Sequence, residues 1–251
     1  MAYTRELATA IAAAHKAGRI QLVKQPGIIE QKQDHSPVTD IDKECEEVII
    51  NAIAAAFPDD GILGEETGTS AGKNARLWII DPLDGTWPFI KGIPTYSVLI
   101  CLEENGIPVV GVVYFPALQE TYRGSLGHGA FCNDKQIHVS LTSRIHQAVG
   151  SCLGYYETPD SRKAQKVLLL IRQWAYHYGF MDAYSYMCVA SGKLDLCVSL
   201  IDKPWDRAAA ACIIREAGGS FSDFSGAATL YNSSFIASNT LLHDSAISFV
   251  K

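Results

Sequence analysis

Four stretches of this 251-residue chain stop an apolar run with carboxylates: Asp40-Ile41-Asp42, Gly64-Glu65-Glu66, Asp81-Pro82-Leu83-Asp84-Gly85-Thr86 and Pro204-Trp205-Asp206. A carboxylate at the end of a strand or turn is held by rigid structure and faces a crevice. Carboxylates that converge there repel one another and shift toward protonated forms unless a cation separates them. Donors that are all oxygen suit a hard divalent ion, so magnesium is the expected partner, with manganese or calcium as substitutes.

The hexapeptide Asp81–Thr86 carries the most information. A strand delivers Asp81, Pro82 fixes a turn, and Asp84 is brought back to the side of Asp81. Leu83 is apolar, but its carbonyl can serve as a ligand. Gly85 lets the backbone approach an anion. A helical turn starting here would aim the amides of Gly85 and Thr86 at that anion, so metal and phosphate would meet at one turn. A plain strand–turn with an Asp cap is the competing reading. The other acids say little singly. Glu65-Glu66 reads as a solvated loop pair, and Asp42 and Asp206 read as first-turn or capping acids. Their recurrence together is what raises them.

The elements that must position these residues follow from periodicity. Helices are predicted over about 4–24, from Thr39-Asp40 to Phe57, from Ser161 to Tyr178, over Ala183–Ser191 and Trp205–Ala217, and over 240–250. Residues 28–39 and 67–75 read as irregular. Strands are predicted at 62–66, Leu77–Ile80, Tyr96–Glu103, Val109–Phe115, Thr121–Arg123, within Phe131–Val139, at Leu194–Ser199, and near Ser220–Ser222 and Phe235–Ala237. An α+β lobe with an antiparallel sheet (1–145) is expected, followed by an α/β lobe (146–251), packed as layers.

Composition narrows the field. Apolar residues make up 48% and charged residues 19%, enough for a large core and against disorder. A net charge of −6 disfavours a nucleic-acid polymer as partner. The seven cysteines form no C-x-x-C pair, which suggests free thiols and a cytoplasmic home. No apolar run approaches a membrane span. Leu7–Ala14 faintly resembles a signal core, but Glu6 and His15-Lys16 around it favour an amphipathic first helix. No H-x-x-x-H pair or Gly-Lys-Ser/Thr loop is present.

Trp78-Ile79-Ile80-Asp81-Pro82-Leu83-Asp84-Gly85-Thr86 with Phe89 resembles the first signature of the inositol monophosphatase family. Trp205-Asp206, Ala208-Ala209 and Glu216-Ala217-Gly218-Gly219 resemble its second, and Val38–Asp42 and Gly64–Glu66 fall in the family's order. The resemblance implies a layered αβαβα sandwich of sugar-phosphatase type. It implies two or three Mg²⁺ held by Glu65, Asp81, the Leu83 carbonyl, Asp84 and Asp206. Thr86, Asp42 and Glu65 would be the catalytic residues, with Thr86 and Asp42 activating a water. Gly85, Thr86, Asp84, Asp182, Ser199 and Asp206 would face the substrate. A homodimer and inhibition by lithium are implied as well.

The expected activity is hydrolysis of a small polyol or amino-alcohol phosphate, inositol monophosphate being the default. Histidinol phosphate and a 3′(2′),5′-bisphosphate nucleotide are the alternatives within the family. The chain departs from well-known members at position 199, where an acid usually sits seven residues before the second-signature Asp and Ser199 stands here. Lys203-Pro204-Trp205-Asp206 and Asp182 resemble the histidinol-phosphate branch. Trp87-Pro88 is unusual, and either narrows the entrance or simply packs. Two other classes compete. An aspartyl-phosphate phosphatase would use Asp81 as nucleophile but wants D-x-D spacing. A non-catalytic metal-binding protein would need a disabled pocket.

Overall fold

The computed structural model describes residues 2–24, 27, 29–32, 37–155, 161–179 and 182–251. Helices α1 (Thr4–Val23) and α2 (Asp40–Ala56) are separated in the chain by a small antiparallel pair, β1 (Ile29–Gln31) and β2 (Pro37–Thr39). Then come β3 (Gly61–Gly64), β4 (Gly68–Ser70), β5 (Arg76–Asp84), the short helix α3 (Thr86–Lys91), β6 (Ser97–Glu104), β7 (Ile107–Phe115), β8 (Glu120–Ser125), β9 (Ala130–Cys132) and β10 (Lys135–Ile137). The second half holds β11 (Val149–Leu153), α4 (Arg162–Ile171), β12 (Tyr176–Tyr178), α5 (Asp182–Ala190), β13 (Leu196–Ser199), α6 (Pro204–Glu216), β14 (Gly219–Ser222), β15 (Phe235–Asn239) and α7 (Thr240–Val250). The strands form an eight-stranded sheet, β10-β9-β8-β7-β6-β5-β3-β4, and a five-stranded sheet, β12-β11-β13-β15-β14.

Five layers result. α1 and α2 cover one face of the large sheet, α5 and α6 lie between the two sheets, and α4 and α7 cover the far face of the small one. The strands show why. Along β5 to β7, Ile79, Leu99, Cys101 and Val113 point to the middle layer. Trp78, Ile80, Val98, Ile100, Val110 and Val112 point to α1 and α2. A period of two with both parities apolar is what a sheet covered on both faces requires. α6 is buried from Arg207 to Ile214, all round, as a helix between two sheets must be. The expected layered α/β sandwich is therefore the architecture of the chain. No helix among the described residues is long and apolar enough to cross a membrane.

Three expectations fail locally. The helix predicted from Ser161 to Tyr178 ends at Ile171, and Tyr176–Tyr178 is an edge strand parallel to β11. Trp174, Tyr176 and Tyr178 are spaced two apart, which is strand spacing and not helical spacing. Trp174 packs within 2.8 Å of where a Cβ on Gly150 would lie, whereas Tyr176 and Tyr178 are exposed. The irregular 67–75 segment contains β4, and 28–39 contains β1 and β2; three-residue strands carry too little periodicity to be read. The Pro26 stop of the first helix and residues 28 and 33–36 of that segment lie outside the described residues.

The middle layer depends on close approach. A Cβ on Gly111 of β7 would lie 2.5 Å from the Ala209 carbonyl oxygen and 2.9 Å from Cys212 Cβ on α6. Ala208–Ala211 completes this seam, which seats α6 directly on the sheet. Gly111→Ala is expected to destabilise the fold by about 1–3 kcal/mol, because neither backbone can retreat. Urea unfolding of both proteins measures this, and an unchanged midpoint would mean the seam is loose.

Candidate active site

The site starts from a bulge. In the β5–β6 register Asp81 faces Leu99 and Asp84 faces Ser97, so three steps on β5 match two on β6. Residues three apart on a regular strand point to opposite faces. The one extra residue turns Asp84 back to the face of Asp81. Pro82 and Leu83 lie in the bulge, and Leu83 is fully buried. Gly85 follows in the left-handed region (φ 78°) and opens α3, where Phe89 N–H closes the first turn on its carbonyl at 3.0 Å. The expected helical turn thus begins at Thr86.

Asp206 arrives from the middle layer on the first turn of α6, behind Pro204 at the helix start. Carboxylate oxygens of Asp81, Asp84 and Asp206 all lie within 4.8 Å of one another. Each acid is tied to the backbone. Asp81 Oδ1 accepts from Leu83 N–H at 3.0 Å, and Asp84 Oδ2 from Ala183 N–H at 3.0 Å and Ser97 Oγ at 3.2 Å. Asp206 Oδ2 accepts from Lys203 N–H at 2.6 Å. The second oxygens of Asp84 and Asp206 receive no donor among the described residues and are left to the shared space.

Glu65 follows β3 and adds its charge to the environment of Asp81, but its oxygens are not among those that converge with Asp84 and Asp206. Its Oε1 is 2.7 Å from Lys32 Nζ, which also reaches Glu66 Oε1 at 2.6 Å. Buried Glu46 holds this loop by accepting from the amides of Glu66 and Thr67, each at 2.8 Å. Asp42 faces two ways. Its Oδ2 takes Thr39 N–H and Oγ1 in the capping box of α2, at 2.9 and 2.6 Å, while its Oδ1 faces Thr86 Oγ1 at 3.3 Å. The same hydroxyl stands 3.4 Å from the Leu83 carbonyl. Asp182 begins α5, and its Oδ2 lies 3.1 Å from where a Cβ on Gly85 would be. Ser199 is fully buried and donates to Asp202. Trp87 is 55% exposed under Lys91, so its ring is not core packing.

Lys32, Glu46, Ser97 and Asp202 were not anticipated. Ser97 alone left a trace, as the strand residue opposite the Asp84 end of the hexapeptide. The others are single polar residues with no local pattern.

Burial raises the carboxyls of Asp81, Asp84 and Asp206 well above the usual range, and their mutual charge adds to it. Burial also lifts Asp42, takes Asp182 to about 6 and takes Glu66 to about 7. No ammonium or guanidinium forms an ion pair with Asp81, Asp84 or Asp206 among the described residues. Three all-oxygen acids, Asp81 buried and Asp84 and Asp206 partly so, with a free lone pair on one side fit a hard cation. Because the folded values exceed the unfolded ones, the metal-free fold binds more protons than the unfolded chain. Its stability is full below the usual carboxylate range and falls as pH rises through the raised values. With chelator present, melting temperature is expected to drop between about pH 5 and about pH 8, and a divalent cation to restore it most at the upper end. A thermal melt series across that range checks it; equal stabilisation at both ends would contradict a cation among these acids.

A profile of the inositol monophosphatase family matches residues 3–250. The chain is 38% identical over 235 residues to a histidinol-phosphatase of Chlorobaculum parvum, covering 89% of this chain and 87% of that protein. It is 38% identical over 216 residues to a fructose-1,6-bisphosphatase/inositol-1-monophosphatase of Thermotoga maritima, covering 85% and 82%. The solved structure of a Thermotoga maritima IMPase superposes with a TM-score of 0.87 at 33% identity, covering 98% of this chain and 97% of that one. With its bulged Asp81–Thr86 turn, its acids drawn from the large sheet and the middle-layer helix, and residues 3–250 matched, this chain belongs to the inositol monophosphatase family, whose members are phosphatases acting on phosphate monoesters.

Proposed function

We propose that the chain is a Mg²⁺-dependent phosphomonoesterase acting on a small amino-alcohol or polyol phosphate, the amino alcohol being favoured. The observation that carries the metal-dependent part is the convergence of Asp81, Asp84 and Asp206 within 4.8 Å. Glu65, Asp81, Asp84, Asp206 and the Leu83 carbonyl would hold two or three Mg²⁺, with Mn²⁺ as a substitute. Bound there, the ions would offset phosphate charge, lower the pKa of a bound water and stabilise the leaving alkoxide.

The residues do the rest. The amides of Gly85 and Thr86, at the head of α3, orient the phosphate. Thr86 Oγ1 holds the attacking water and passes its proton toward Asp42 Oδ1, 3.3 Å away. Burial lifts the Asp42 carboxyl and makes it a better base. The water oxygen bonds to phosphorus as the ester P–O bond breaks in line, and the leaving alkoxide takes a proton from solvent.

Asp182, against Gly85, supports a leaving group with a protonated amine, as in histidinol phosphate. The second reading, inositol monophosphate, is supported by the Thermotoga relative. The proposed division into lobes 1–145 and 146–251 puts the phosphate turn in one and Asp182 and Asp206 in the other. Lithium inhibition follows from a site built for small hard cations. A homodimer is supported by the exposed aromatic edge strand β12, and a cytoplasmic location by seven free cysteines.

Purified protein with Mg²⁺ is expected to release phosphate from histidinol phosphate, and more slowly from inositol 1-phosphate. Changing an outer partner of a metal ligand costs about 10–100-fold, so Asp84→Asn, which removes a ligand, should cost at least about 100-fold. Thr86→Ala should cost about 10²–10⁴-fold in kcat. Phosphate release at the Asp84→Asn level from a full panel of esters would refute the reading. A trapped phospho-Asp81 would replace water attack with an aspartyl-phosphate route.

A further inference from the structure

Behind the site lies one carboxylate to which the proposed reaction gives no task. Asp202, in the loop between β13 and α6, is only 7% exposed. Its Oδ1 accepts from Ser199 Oγ at the end of β13, and its Oδ2 from the Tyr186 hydroxyl on α5. Ser199 Oγ in turn accepts from the amides of Ile201 and Asp202, at 3.3 and 3.2 Å. The buried Arg207 guanidinium bonds the Asp202 backbone carbonyl at 2.7 Å and the carbonyls of Asn232 and Ser234, not the carboxylate. Three elements therefore fix where this charge sits. Two hydroxyl dipoles stabilise it, but among the described residues no cation forms an ion pair with it.

Its position is informative. Asp182 lies one helical turn before Tyr186 on α5, so both sit on the same face of that helix. The charge of Asp202 reaches Asp182, and also Asp84 and Asp206. The other side of Asp182 lies against Gly85, where the proposed reaction seats the phosphate. A carboxylate buried without an ion pair carries a desolvation cost, which here the two hydroxyls and the nearby Arg207 charge oppose. Packing alone gives no reason to retain one here.

Building on the phosphomonoesterase reading above, we propose that Asp202 is a specificity-determining residue. Held in place by Ser199 and Tyr186, it adds negative charge to the wall beside Asp182 and so favours an ester whose leaving group carries a protonated amine over a neutral polyol of similar size. Ser199 is then a positioning residue that acts through Asp202 and does not touch substrate.

The test compares kcat and KM for histidinol phosphate and inositol 1-phosphate, with Mg²⁺, in three proteins: wild type, Asp202→Asn, and the double variant Ser199→Glu/Asp202→Leu. Asp202→Asn should lower kcat/KM for the cationic ester about 10-fold, through KM, and leave the polyol ester within about 2-fold. The double variant moves the carboxylate back three residues and should recover most of the preference. Ser199→Glu alone sets two charges together and should lower the melting temperature, with Asp202→Leu restoring it. Equal losses for both esters, no loss for either, or a wild type without preference for the cationic ester would overturn the proposal. Wild type inactive on every ester would remove the phosphatase reading as well, which separates the two failures. If Asp202→Asn does not fold, Tyr186→Phe serves instead. It keeps the charge but frees one oxygen, and should reduce the preference about 3-fold; an unchanged preference would overturn the proposal.

Discussion

The site depends on holding like charges together in a partly buried space. Asp81, Asp84 and Asp206 sit within 4.8 Å, and each is shifted toward its neutral form by burial and by its neighbours. Left to themselves such side chains would rotate apart. Here each is tied by one oxygen to a backbone amide: Leu83 for Asp81, Ala183 for Asp84, Lys203 for Asp206. Hydrogen bonds from amides to a carboxylate favour the charged form and fix its direction. The remaining oxygens of Asp84 and Asp206 then have one direction to face. This pre-organisation gives a cation a strong net gain on binding, because the repulsion is already present in the fold and the cation removes it.

The layered fold makes the anchoring possible. The amide that holds Asp84 belongs to α5, in the middle layer, while Asp84 itself belongs to the large sheet. Asp206 rides on α6, whose Ala208–Ala211 run meets Gly111 of β7 at a separation too small for a methyl group. A helix buried all round has little freedom to slide. The packing of α6 therefore sets the distance between Asp206 and the β5 bulge. Stability of the middle layer and geometry of the site are one property of this chain.

Much of this is legible in the residues, and the limits have physical causes. The Asp81–Thr86 stretch announces itself because Pro, Gly and two acids in six residues leave few backbone paths. The apolar runs of β6 and β7 are long enough to show a strand covered on both faces. The stretch 161–178 misleads because Val167–Ile171 is truly helical and nothing as strong as Pro or Gly stops it. The end is set by Trp174 packing on Gly150, a contact made across the small sheet. β1, β2 and β4 are three residues each and owe their form to partners. Lys32, Glu46 and Asp202 act through neighbours 16 to 34 positions away in sequence, as Lys32 does with Glu65 and Glu66, Glu46 with Glu66, and Asp202 with Tyr186. No local window contains such a pairing.

The acids at helix starts show why local interpretation stays ambiguous. Asp42 and Asp206 each resemble a helix cap, and each is one: both stand at the third helical position and accept the amide three residues earlier. A cap needs only one carboxylate oxygen. The other oxygen of Asp42 faces the Thr86 hydroxyl, and that of Asp206 faces the converging acids. Capping therefore does not compete with chemistry at these positions; it is the means by which the reactive oxygen is aimed. The same division holds for Asp84, where Ser97 and Ala183 share Oδ2. A capping residue with two carboxylate oxygens can cap with one and present the other, with its charge, to the site, a charge that a Ser or Thr hydroxyl does not carry. That is a physical reason for acids, and not hydroxyls, to stand at these helix starts.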